Sequence, residues 1–152
     1  MVSNVEKRIE WDTDRWNKGK VVEKKDNSMI INWTSQKPPI AMVSARDMLV
    51  EFFICPNGAG EGRNVSVGRS VEHASCPKPS GWGANERGNV RIFGTIIEKN
   101  PNGAGSKMTH MRNIDMCGKF PEMAVKKGSE NVQLKELANW TGAIEKRLAG
   151  KI

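Results

Sequence analysis

The sequence predicts an α+β fold, a curved antiparallel sheet of about six strands around a C-terminal helix. Three observations predict it. Six short stretches rich in Val, Ile, Thr and Phe are separated by clusters of Gly, Pro, Asn and Ser. No helix-length segment separates one stretch from the next, so neighbours pair as an antiparallel meander, not through parallel crossovers. The apolar period changes only near the end of the chain, and a sheet supplied with one apolar helix buries a face only by curling around it.

In chain order the strands are "KGKVVEKK" (18–25), "SMIINWTSQ" (28–36), "RDMLVEFFIC" (46–55), "RNVSVGRSVEH" (63–73), "ERGNVRIFGTIIE" (86–98) and "SKMTHMRNID" (106–115). The pentapeptide "PNGAG" follows the third as Pro56–Gly60 and the fifth as Pro101–Gly105. Neither copy opens a helix or carries GxxxxGK[ST], so neither is a phosphate cradle. Both read as hairpin connections, and because one further connection lies between them, both fall on the same rim. From Ser129 to Leu148, the residues Leu134, Leu137, Ala138, Thr141, Ile144 and Leu148 recur at helical spacing, with Ser129 as cap and Glu130 in the first turn.

The chain has 152 residues, 38% of them hydrophobic, with no break in composition; it reads as a single domain over 1–152. Neither a signal core nor a membrane-length apolar run is present. Cys55, Cys76 and Cys117 are odd in number and widely spaced, which points to reduced thiols in an intracellular compartment. His73 and Cys76 form a lone HxxC without a second pair, so no metal is expected, and nothing calls for another cofactor. A net charge of +7 favours anionic partners. Aromatics at 6%, with no stacking pair on one strand, argue against nucleic acid, while charge spread along the chain is equally that of a solvated basic surface. No nucleophile elbow, paired carboxylates or metal box is present, so a non-enzymatic role is expected.

Four groups of residues carry a resemblance. They are Arg46-Asp47; Arg69 to His73 with Cys76 and Pro77; Arg87 with Gly94; and Asp115 with Gly118 and Pro121. In this order and spacing, from Ser44 to Met123, the sequence resembles the second part of a START domain, a lipid-binding domain of helix-grip fold. Arg8 to Asp12, "RIEWD", resembles a segment of the phosphatidylcholine-transferring members. The resemblance implies a domain lacking the family's N-terminal helix and first strands: either the sequence is truncated or starts late, or a partner protein covers the open sheet edge. It also implies a cytoplasmic protein peripheral to membranes. The "PNGAGEGR" loop at Pro56–Arg63 would be a mobile gate beside the tunnel mouth.

The implied activity is lipid binding and transfer of a phospholipid-like lipid between membranes. A sixteen-carbon chain exposed to water costs on the order of 12 kcal/mol, at about 0.8 per methylene. The expected lining is Val50, Phe52 and Ile54, Phe93, Thr95 and Ile97, and Leu137, Thr141 and Ile144. By the resemblance, Arg8 contacts the headgroup, Asp12 holds Arg8, and Trp33 forms one wall of the headgroup site. Met48 and Arg91 stand where choline carriers have their other aromatic walls, and an arginine there favours a neutral or anionic headgroup. The expected lipid-binding residues are thus Arg8, Asp12, Trp33, Phe52, Arg91, Phe93 and Thr141. The alternative is an architectural subunit that holds no lipid.

Overall fold

The computed structural model describes residues 5–10, 12, 16–26, 29–38, 43–119, 137–146 and 149–150. A short helix α1 (Val5–Ile9) is followed by strands β1 (Trp16–Lys24), β2 (Met29–Gln36), β3 (Arg46–Cys55), β4 (Asn64–Ser70), β5 (Glu86–Arg87), β6 (Asn89–Lys99) and β7 (Ser106–Asp115). Helix α2 covers 137–146; the rest of the expected helix, 129–136 and 147–148, lies outside the described residues.

The strands form one curved sheet in the order β1-β2-β3-β4-β6-β7, each antiparallel to the next, as the meander predicts. The two PNGAG segments join β3 to β4 and β6 to β7 and share a rim. The first is tied by its own bonds: Gly58 N–H donates to Cys55 O at 3.1 Å, and Gly62 N–H to the Asn57 side chain at 2.8 Å.

The fifth sequence stretch divides at Gly88. Its start, β5, adds to β3 in parallel, with Glu86 opposite Arg46 and Arg87 opposite Asp47. The remainder is β6, which carries an irregularity between Val90 and Ile92 in its pairing with β7.

The sheet buries apolar side chains on both faces. Ile31, Leu49 and Cys76, flanked by Val22, Trp33 and Val71, pack on the convex face, which the segment after β4 covers. Met48, Val50 and Val90, with Phe52, Phe93, Ile114 and Met116, pack on the concave face. Two glycines set how closely the concave layer assembles. A Cβ at Gly19 on β1 would stand 2.6 Å from Val5 Cγ2, so its absence lets α1 lie down on the sheet. A Cβ at Gly68 on β4 would stand 2.8 Å from the Phe52 ring, so that ring rests over bare backbone. Among the described residues no helix is long and apolar enough to cross a membrane.

Candidate functional site

The strand period of two decides what faces the hollow. On β3, Val50, Phe52 and Ile54 point inward; their β4 partners in register are Ser70, Gly68 and Ser66. Ser66 and Gly68 pair in turn with Thr95 and Phe93, and β7 adds Met108, Arg112 and Ile114. Helix α2 closes the hollow with Trp140, Thr141, Ile144 and Glu145, and α1 closes it with Val5 and Arg8. The result is a cavity of 610 Å³ with a mainly apolar wall, within the roughly 300–1,000 Å³ usual for small-molecule sites.

One end of this cavity is polar. Arg8 donates through Nε and Nη2 to Asp12 Oδ2 at 3.2 and 3.1 Å, and Trp16 Nε1 donates to the same oxygen at 2.8 Å. Asn139 donates to Asp12 Oδ1 at 3.4 Å. Asp12 is 1% exposed. The pair is therefore an internal ion pair, whose partners neutralise each other where water is excluded. The Arg8 guanidinium lies 4.8 Å from the Trp16 ring and 5.2 Å from the Trp140 ring, both within cation–π range. From Trp140 the edge-to-face ring contacts continue through His110 at 5.2 Å, Phe93 at 4.5 Å and Phe52 at 5.4 Å. His110 is held by Thr95, whose Oγ1 lies 3.0 Å from its Nδ1.

The structure thus brings Arg8, Phe52, Phe93 and Thr141 to the cavity, with Asp12 directly behind Arg8. Three expectations are corrected. Trp33 pairs in register with Leu49 on the convex face, and its Nε1 donates to Asp47 Oδ2 at 2.7 Å; its neighbours Asn32 and Thr34 face the cavity instead. Arg91 falls at the β6 irregularity, where an extra residue lets Val90 and Phe93 both face inward and turns Arg91 out to Asp115, 3.3 Å away. Leu137 is 47% exposed and does not line the cavity, because α2 presents Trp140 and Ala143 as its buried face. Trp140, Asn32 and His110 were not singled out from sequence. The signal available for Trp140 was its position one residue before Thr141 and four before Ile144 on the same helix.

The residues that carry the resemblance gather elsewhere. Arg46 donates to the carbonyls of Met116 at 3.2 Å, Cys117 at 2.9 Å and Ser44, fastening the end of β7 to β3. Burial pulls its pKa below the ordinary arginine value, against the attraction of Glu86 and Cys117. Arg87 forks onto Asp47 with two 2.9 Å bonds. Burial opposes the Arg87 charge, but the bonds and charge of Asp47, with Cys76, outweigh it and raise its pKa. On the convex face both Ser75 N–H and its hydroxyl reach His73 Nδ1, at 3.2 and 2.8 Å. Nδ1 is therefore the acceptor, and Nε2 donates to Glu23 at 2.8 Å, which ties the turn after β4 to β1. Among the described residues no three His, Cys, Asp or Glu side chains group as metal ligands.

Residues 1–147 match the family model described as START domain. No curated protein matches the chain. Among solved structures, human STARD10 superposes with a TM-score of 0.80 at 20% identity, over 99% of this chain and 58% of that one. Human StAR-related lipid transfer protein 5 superposes with a TM-score of 0.77 at 22% identity, over 91% of this chain and 64% of that one. The human StarD13 (DLC2) lipid transfer and protein localization domain superposes with a TM-score of 0.68 at 29% identity, over 87% and 62% respectively. The chain spans less than two thirds of the length of each.

Proposed function

We propose that this chain, which belongs to the START domain family, is a non-catalytic carrier that encloses a phospholipid-like lipid between its sheet and α2 and moves it between membranes. START domains bind lipids and sterols and transfer them. The observation that supports carriage here is the cavity of 610 Å³, walled by Val50, Phe52, Ile54, Phe93, Ile97 and Ile144 and polar at its Arg8 end. Each methylene taken from water into such a wall gains about 0.8 kcal/mol, while the polar end meets groups that hydrogen-bond. The net charge of +7 suits collision with anionic membranes.

Native mass spectrometry of the purified protein, followed by transfer of a fluorescent phospholipid from donor to acceptor vesicles, tests this reading. A bound lipid and transfer that rises with protein concentration are expected. Protein that is lipid-free and takes up none from vesicles would instead favour an architectural subunit.

A further inference from the structure

We propose that the indole N–H of Trp140 is the docking point for an oxygen of the bound lipid, which makes the ligand's polar end a carbonyl or carboxylate group. The proposal rests on the reading that the cavity holds a lipid. Trp140 borders the cavity, is 3% exposed, and its Nε1–H has no acceptor among the described residues. A buried donor is nearly always satisfied, so a group that enters the cavity has to supply the acceptor.

The ring is held from two sides, by the Arg8 guanidinium at 5.2 Å and the His110 ring at 5.2 Å, so the indole keeps its place before any ligand arrives. Arg8 and Arg112 also line the cavity, whereas the carboxylate of Asp12 is occupied by Arg8, Trp16 and Asn139. Glu145 is the one carboxylate among the described lining residues, and it is exposed. The indole N–H can only donate, so the group that meets it has lone pairs to offer; an ammonium offers none.

The test is titration of ¹⁵N-labelled full-length protein with hexadecanoate and, separately, with hexadecylammonium, following the indole N–H resonances by NMR. Hexadecanoate is expected to move the Trp140 indole proton downfield, the peak being assigned by its loss in Trp140→Phe. That variant, which keeps an aromatic ring at the site, is expected to bind hexadecanoate about tenfold more weakly and hexadecylammonium unchanged. If hexadecanoate shifts the amides of Phe52 and Ile97 but leaves the Trp140 indole in place, the docking point is wrong and lipid carriage stands. If neither chain perturbs the cavity amides, the docking point is wrong, and carriage is decided separately by the phospholipid transfer assay. Should Trp140→Phe not fold, the Trp140 indole peak is assigned in the wild type by its nuclear Overhauser contacts to the His110 ring, and that titration decides.

Discussion

Asp47 is fully buried at 0% exposure and accepts three hydrogen bonds, two from Arg87 at 2.9 Å and one from Trp33 at 2.7 Å. Asp47→Asn keeps the shape but removes the charge and turns one acceptor into a donor that faces another donor. The Arg87 side chain, 13% exposed, is then left charged with no counterion at that position. Breaking a buried pair from one side costs about 3–5 kcal/mol. At about 2–4 °C per kcal/mol for a chain of this size, the midpoint of thermal unfolding falls by roughly 6–20 °C. Urea denaturation followed by circular dichroism measures the loss, with an unchanged m-value showing that two-state unfolding is retained. Trp33→Phe removes a single bond and is expected to cost about 1–2 kcal/mol. Asp47→Leu combined with Arg87→Met is expected to be less destabilising than the sum of the two single changes, because no unpaired charge remains. The raised pKa of Arg87 gives a stabilisation that is present below the ordinary arginine range and lost only above it, so the effect is flat through neutral pH. A loss under about 1 kcal/mol for Asp47→Asn, or additive single changes, would refute the assignment of this pair as the anchor of β5.

Three other substitutions read the cavity and its surroundings. Gly68→Val places atoms within 2.8 Å of the Phe52 ring and drives it into the hollow; lipid occupancy by native mass spectrometry is expected to fall, with a stability loss of about 1–3 kcal/mol. Gly19→Val collides with Val5 at 2.6 Å and lifts α1 together with Arg8, so amide exchange of residues 5–9 is expected to accelerate while exchange in β6 stays unchanged. Arg91→Ala removes only an exposed ion pair with Asp115, worth about 0–1 kcal/mol, and leaves lipid affinity unaltered; a large drop in affinity would place Arg91 at the ligand after all.

The strands were legible because each is a β-branched run between turn residues, and β3 reads inward correctly at Val50, Phe52 and Ile54. The same rule fails at β2, where Trp33, expected at the headgroup site, lies on the other face. Ile31 and Trp33 serve the convex core, and the polar Asn32, Thr34 and Gln36 face the cavity. A strand buried on both faces gives no alternation from which to choose a side. At β6 a single extra residue changes the phase between Val90 and Phe93, and nothing local in "NVRIF" marks it. The separation of β5 from β6 was hidden for a related reason. Its pairing with β3 is tertiary and is fixed by Arg87 reaching Asp47 across the sheet.

These failures share a cause. Arg46, Asp47, Arg87 and Asp115 to Gly118, from three of the four groups that carry the family resemblance, form the hydrogen-bonded seam where β3, β5 and the end of β7 meet. Buried charges tolerate few replacements, because a change to either partner strands the other, so a seam of this kind leaves a sharp sequence signature. Aliphatic wall positions tolerate exchange at similar volume and leave almost none. Fold is therefore written in the polar seam, whereas ligand choice depends on a wall whose residues are interchangeable by type but not by direction. Trp140 is a wall residue held by two ring contacts whose indole N–H has no acceptor among the described residues, and that is why the chemistry of the ligand is sought at its indole nitrogen.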